Sequence, residues 1–283
     1  MDERFTPGTL WGLLTQRTAA ALRSGSVQPM RTRSVRLQDG QVSFTVRILD
    51  SEMGILFEAI RCDTAVNPFL PYDADLFVAP VSTTHVALLN KFPVVPNHLL
   101  VITRCFEEQE SGLTPADFDA LARCMTELDG LAFFNSGAVS GASQRHKHLQ
   151  VVPLPLASGE VPGPPVPIEA AFGTLAPGPQ PCRLPALPFA HALLGLEALG
   201  GPALQEACTR LWRALGLDAA QPHNLLLTRR WMLLVGRSCE RFEGMPVNAL
   251  GFAGSMLVRH PDGLERVRQV GPLRVLRQVG LPP

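Results

Sequence analysis

An α+β fold, an antiparallel sheet with flanking helices, is what this sequence predicts, and three patterns predict it. Apolar residues alternate with polar ones from Ser34 to Leu49. They recur at spacings of three and four from Phe118 to Leu128. The two kinds of segment interleave along the chain with no repeat of fixed period. At 283 residues and 46% hydrophobic content the chain is long enough for one substantial core. Its 25 basic and 25 acidic side chains balance, which argues against nucleic-acid binding through an overall field. The longest apolar runs, such as Leu99-Leu100-Val101-Ile102, fall far short of the roughly 20 residues that cross a bilayer. The start, Met1-Asp2-Glu3-Arg4, lacks the form of a secretory signal. A cytoplasmic protein that meets neither membrane nor nucleic acid is expected.

Taken in order, Thr9 to Arg23 places Leu10, Leu13, Leu14 and Leu22 on one side and reads as a helix. Val35 and Leu37, then Val42, Phe44, Val46 and Ile48, flank Asp39-Gly40 as the two arms of a hairpin. Asn67 to Tyr72 is a loop, followed by short apolar strands at Leu76 to Ala79, Val86 to Asn90 and Leu99 to Thr103; Pro93 and Pro96 turn the chain between the last two. Thr114 is an N-cap, with Pro115 at the first helical position and Asp117 three residues after the cap. Phe118, Leu121, Ala122, Met125 and Leu128 form the buried stripe of that helix. Leu131 to Asn135 reads as a strand, Ser136 to Gln144 as a small-residue loop, and Arg145 to Val152 as another strand.

Eleven of the 36 residues from Pro153 to Pro188 are proline, so 153–190 reads as an extended crossover or surface linker. It joins a core at 1–152 to a C-terminal part at 191–283 that completes the same fold. There, His191 to Leu215 reads as helical with a break at Gly200-Gly201-Pro202. Asn224 to Leu227 and Trp231 to Val235 read as a second hairpin, Val247 to Val258 as a small-residue stretch, and Leu273 to Val279 as the last helix. The six cysteines form no Cys-x-x-Cys pair and read as mostly buried reduced thiols. Trp11, Trp212 and Trp231 are expected as core anchors.

The chemistry concentrates between Asn135 and Val152. Side chains alternate along a strand, so His146, His148 and Gln150 share one face while Lys147 and Leu149 take the other. Three polar groups in a row are costly unless that face meets solvent or a ligand. The preceding loop offers Gly137, Ser140, Gly141 and Ser143, which let backbone N–H groups and hydroxyls approach an anion. Together they point to a phosphate site with an imidazole as nucleophile or acid/base. The alternatives are an exposed sheet face and a shared zinc, for which no neighbouring carboxylate or cysteine completes a ligand set. Only two of the 25 basic residues are lysine, Lys91 and Lys147, marking them as places where a compact ammonium is wanted. Lys147, pointing away from His148, reads as a surface lysine. His85, His98, His191, His223 and His260 read as structural.

The stretch Asn135-Ser-Gly-Ala-Val-Ser-Gly-Ala-Ser-Gln-Arg-His-Lys-His-Leu-Gln150 resembles the histidine-triad superfamily, in the branch whose third histidine is glutamine. It is most similar to the diadenosine tetraphosphate phosphorylases, or ATP adenylyltransferases. Asn67-Pro-Phe-Leu-Pro71, Leu89-Asn-Lys-Phe-Pro-Val-Val-Pro96, Asn224 to Trp231 and Asn248-Ala-Leu-Gly-Phe-Ala-Gly254 extend the resemblance over most of the chain. It implies a histidine-triad-like fold and reversible phosphorolysis of diadenosine tetraphosphate by inorganic phosphate to ADP and ATP through an adenylyl-histidine. His148 falls on the family's nucleophile. Gln150 falls on the group that holds the phosphoryl oxygens, with His146 beside them. Asn90 and Lys91, Asn135, and the loop Gly141, Ala142, Ser143 and Gln144 match nucleotide- and phosphate-binding positions. Asn248, Ala249 and Leu250 match a segment that reaches back to the site, and Arg259 and Arg47 match basic contacts.

No cofactor has a recognisable protein site; Mg2+ or another divalent cation would enter with the substrate phosphates. The chain is expected as a monomer or small homo-oligomer. A hexose-1-phosphate uridylyltransferase is the nearest alternative, but Lys147 stands where those enzymes typically have proline. A water-using dinucleotide hydrolase would be expected to carry a third histidine in place of Gln150, because glutamine cannot protonate a leaving group as an imidazolium can. A catalytically inactive nucleotide sensor is the alternative from another class, and it has no need of an exposed nucleophile.

Overall fold

The computed structural model describes residues 4–50, 67–156, 163–173 and 177–283. Helix α1 (Leu10–Ser24) is followed by the expected hairpin, β1 (Thr32–Asp39) and β2 (Val42–Leu49). Then come β3 (Phe77–Pro80), β4 (His85–Leu89) and β5 (Leu99–Thr103), helix α2 (Pro115–Glu127), β6 (Gly130–Asn135) and β7 (His148–Pro153). The remaining chain supplies β8 (His191–Gly195), α3 (Gly201–Leu215), β9 (His223–Leu227) and β10 (Trp231–Gly236). It closes with the short pair β11 (Arg241–Phe242) and β12 (Met245–Pro246), α4 (Ala249–Phe252), β13 (Ser255–Val258), α5 (Pro261–Val270) and α6 (Pro272–Val279).

Eight strands form one antiparallel sheet in the order β3-β4-β5-β7-β6-β9-β10-β8. Both faces of its central strands are covered, which is why Leu225-Leu226-Leu227 and Met232-Leu-Leu-Val235 read as continuous apolar runs rather than alternating ones. On the back face, Leu10 and Leu14 of α1, Phe118, Leu121 and Met125 of α2, and Leu204 and Leu211 of α3 pack against Val101, Phe134, Leu149 and Leu225. On the front face, Phe133, Leu226 and Leu233 meet Phe44, Val46 and Ile48 of β2 and Val275, Leu276 and Val279 of α6. Strand β13 runs parallel to β2 and completes a second, three-stranded sheet.

Helix α2 begins as its sequence dictates: Thr114 and Asp117 form a reciprocal capping box, with Pro115 in the first turn. Elsewhere the structure departs from expectation. His191–Gly195 is a strand paired with β10, because a five-residue apolar run carries no period that separates strand from helix. Helix α5 occupies a polar stretch not anticipated as helical. Within the proline-rich segment, Val166, Ile168, Leu187 and Phe189 are buried in the front core, so these parts pack rather than lie on the surface. Trp231 is buried and Trp212 packs half-buried against the back core, but Trp11 is 46% exposed. Of the described cysteines, all free, Cys124 and Cys208 are buried while Cys105, Cys182 and Cys239 are exposed, and Cys62 lies outside the described residues.

Candidate active site

The front face is polar where β7 begins. The ladder places His148 opposite Ile102 and Gln150 between Leu100 and Phe133, so both side chains share that face, and Leu149 turns into the back core. The strand starts later than expected, at His148. Residues Arg145 to Lys147 lie ahead of it, with His146 bridged to Glu108. The β6–β7 ladder ends at Phe133 and Gln150. Beyond that point the side-chain amide of Gln109 takes the place of a strand: its Oε1 accepts from the His148 N–H at 2.8 Å, and its Nε2 donates to the carbonyls of Asn135 (2.8 Å) and His148 (3.2 Å).

Burial lowers the pKa of His148 to about 4, so its ring is neutral at pH 7. Nδ1 lies 2.8 Å from the His146 carbonyl, which only accepts, so Nδ1 carries the proton and Nε2 keeps the lone pair. His146 is fixed in the other tautomer. Its Nε2 donates to the Thr103 carbonyl at 2.8 Å, and its Nδ1 accepts from Asn67 Nδ2 at 3.0 Å. Phe69 sets its ring 5.5 Å from both imidazoles.

A second chain of hydrogen bonds orients Gln150. The Phe92 N–H donates to Asn90 Oδ1 at 2.9 Å, which leaves the Asn90 amide nitrogen to face His98 Nδ1 at 3.2 Å. His98 Nδ1 therefore accepts and Nε2 donates, to Gln150 Oε1 at 3.0 Å. Among the described residues nothing accepts from the Gln150 NH2. His98 was expected to be structural; instead it joins Asn90 to Gln150.

The loop before β7 is shaped by contact with the C-terminal part. Gly141 has φ +90°, and a Cβ there would stand 2.7 Å from the Val247 carbonyl, so only glycine fits. Ala142 N donates back to the Gly137 carbonyl at 3.1 Å. Asn248 caps α4 by accepting from the Leu250 N–H, and Ala249 N donates to Asn135 Oδ1 at 2.9 Å. A cavity of about 40 Å³ is lined by Gly141, Val247, Asn248 and Leu257.

A neutral imidazole beside a free amide and a glycine loop is equipped for group transfer, and the whole-chain comparisons agree. Residues 1–174 match the family model for the Ap4A (diadenosine tetraphosphate) phosphorylase N-terminal domain. Residues 185–282 match the ATP adenylyltransferase C-terminal domain. A curated relative from Saccharomyces cerevisiae, diadenosine 5',5'''-P1,P4-tetraphosphate phosphorylase 2, is 30% identical over 93% of this chain and 92% of its own. The chain belongs to the Ap4A phosphorylase family. The crystal structure of yeast Ap4A phosphorylase Apa2 superposes with a TM-score of 0.81 at 25% identity, covering 100% of this chain and 99% of that one. The same enzyme in complex with Ap4A gives 0.81 at 26% identity, with the same coverage.

Within this Ap4A phosphorylase relative, contacts join His146 to His148, His148 to Asn135 through Gln109, Asn135 to Ala249, and Gly141 to Asn248, while Asn90 reaches Gln150 through His98; strand β7 holds the two groups on one face. The other candidates stand around them. Lys91 is exposed, its ammonium 5.7 Å from the Phe92 ring. Ser143 is exposed, and Gln144 and Leu250 are half-buried. Arg47 on β2 donates to the Leu156 carbonyl at 2.9 Å; the β2–β13 register puts it opposite Leu257, and Arg259 follows two residues on. Lys147 is not a surface residue. It is 1% exposed, donates to Glu107 at 2.7 Å and lies 3.5 Å from Asp117, whose other oxygen meets His85 Nε2 at 2.9 Å. The chain just before β7 is thus tied from behind to the start of α2. His98, Gln109 and Phe69 are the participants that sequence reasoning missed. Only Phe69 carried a signal, inside Asn67-Pro-Phe-Leu-Pro71.

Proposed function

We propose that the protein catalyses phosphorolysis of Ap4A through an adenylyl-His148 intermediate. His148 Nε2 attacks the α-phosphorus, the bond to the bridging oxygen breaks, and ATP leaves. An oxygen of inorganic phosphate then attacks the same phosphorus, the P–N bond breaks, and ADP forms with His148 regenerated. Run backwards, ATP and ADP give the dinucleotide. The observation that carries this reading is the neutral His148 with its proton committed to the His146 carbonyl, set on one strand face with the unengaged Gln150 NH2.

The Gln150 and Asn135 amides donate to the non-bridging oxygens, where charge gathers in transfer. The backbone of Gly141, Ala142, Ser143 and Gln144, with Asn248, Ala249 and Leu250, borders the polyphosphate path. Lys91, Arg47 and Arg259 supply positive charge for a substrate with several negative ones. A divalent cation such as Mg2+ belongs to the substrate phosphates. Among the described residues no three His, Cys, Asp or Glu side chains gather as a metal site. The chain acts as a monomer or small homo-oligomer, with 191–283 completing the site begun by 1–152 across the 153–190 crossover. Exposed free thiols at Cys105, Cys182 and Cys239 fit a reducing cytoplasm. Among the described residues no helix is long and apolar enough to cross a membrane, and the partners are small nucleotides and phosphate rather than nucleic acid.

The test is incubation with Ap4A and Mg2+, with and without inorganic phosphate, and chromatography of the products beside a His148→Ala control. ATP and ADP formed only with phosphate, and lost in the variant, are expected. ATP and AMP formed without phosphate would make the protein a hydrolase.

A further inference from the structure

Asn135 pairs across the ladder with Asn224 of β9, at the seam where strands from before and after the proline-rich segment meet. It lies on the face of His148 and Gln150, because Phe133 opposes Gln150 and Asn135 follows two residues later. Its side chain is buried, and an amide can present either an oxygen or an NH2 to a phosphate. One end attracts the anion and the other repels it, so the orientation has to be built in.

Groups with a single hydrogen-bonding role decide it. Asn135 Oδ1 accepts from the Ala249 N–H at 2.9 Å; a backbone N–H only donates, so the atom facing it is oxygen. The same oxygen accepts from Asn224 Nδ2 at 2.8 Å. Asn224 is held in turn from both ends. Its Nδ2 also meets the Ser140 carbonyl at 2.9 Å, which only accepts, and its Oδ1 meets Arg237 Nη1 at 2.6 Å, which only donates. Arg237 is 2% exposed and gives its remaining N–H groups to the carbonyls of Ser140, Cys239, Val247 and Val279. The guanidinium thereby ties the glycine loop, the turn before α4 and the end of α6 to one asparagine. Asn135 Nδ2 donates to none of the described residues and is left for the site.

We propose that Asn224, oriented by Arg237, is a positioning residue that fixes Asn135 with its NH2 toward the transferred phosphoryl group. The inference rests on the phosphorolysis reading of the site. The Asn224→Asp variant tests it, since it preserves volume and the bond to Arg237 but removes both donors. The Asn135 amide then turns its NH2 toward the new carboxylate. A fall of at least about tenfold in kcat/KM for Ap4A and in affinity for AMP is expected, with a cooperative thermal transition retained. In an Asn135→Ala background the same change should add no further loss; a merely structural role for Asn224 would add its full effect there. Wild-type kcat/KM and AMP affinity in Asn224→Asp, or full additivity in the double variant, would overturn the proposal.

Should Asn224→Asp fail to fold, Asn135→Asp replaces the site-facing NH2 by an oxygen while still accepting from Asn224 and Ala249. Unchanged AMP affinity in that variant also overturns the proposal. If the wild-type protein binds AMP but forms no ADP and ATP, the phosphorolysis reading fails separately, and the AMP affinities of the variants still decide the amide orientation.

Discussion

At the scale of single residues the site depends on groups that can play only one role. The proposed nucleophile has to be a neutral imidazole, and burial holds His148 so by lowering its pKa to about 4. Protonation removes the Nε2 lone pair, so formation of the adenylyl-enzyme from Ap4A should be constant near neutrality and fall only below about pH 4–5. A rapid-quench pH profile of that first step, free of inorganic phosphate and its own ionisation, checks this; a limb near pH 6.5 would mean an imidazole in contact with water. His98 holds Gln150 by a hydrogen bond, and on the proposed mechanism His98→Ala frees that amide to rotate. Steady-state kinetics should show kcat lower by about tenfold with KM changed far less. The row of His148 and Gln150 was legible from strand alternation alone. His98 was not, because its partner Gln150 is 52 positions away and no local pattern joins them. Gln109 was hidden for a different reason: among Glu107, Glu108 and Glu110 it looks like one more solvated side chain. Lys147 misled because strand alternation tells which face a side chain takes and nothing about what covers that face.

At the scale of elements, local chemistry was readable where it is self-contained. Thr114, Pro115 and Asp117 announce α2, and the capping box forms as expected; Thr114→Ala should cost about 1 kcal/mol in urea denaturation. Gly137 to Gly141 is readable as an anion-compatible loop, but what forces its shape is the Val247–Asn248 turn, more than a hundred residues away in sequence. Gly141→Ala has to move that turn and adopt a positive φ. We expect roughly 2 kcal/mol or more of lost stability, together with weaker Ap4A binding by calorimetry, since Asn248 and Ala249 shift with it. Strand β8 and helix α5 escaped the sequence for one shared reason. The run in β8 is too short to show a period, and Leu264, Val267 and Val270 of α5 are three spaced residues in a polar stretch, so in both cases tertiary pairing and packing decide the conformation.

At the scale of the whole molecule, the α+β class and the antiparallel sheet were legible, while the strand order that brings β6 beside β9 was not, because pairing between distant strands leaves no local mark. The same packing sets a stability limit. His98, His148 and His223 are buried, and burial lowers each pKa to about 4. In the unfolded chain they titrate near 6.5, so between those values the unfolded state takes up more protons and stability falls as pH falls. The loss is roughly 2 kcal/mol per imidazole by pH 5, seen as a declining thermal midpoint from pH 7 to pH 5. Strand β2 has a further consequence, for synthesis. Its parallel partner β13 lies about 200 residues further along the chain. At roughly 5–20 residues per second a ribosome needs about 10–40 s to deliver it. Through that interval the nascent hairpin presents Val42, Phe44, Val46 and Ile48 beside an unpaired strand edge, which exposes it to aggregation and makes it a segment for a chaperone to cover.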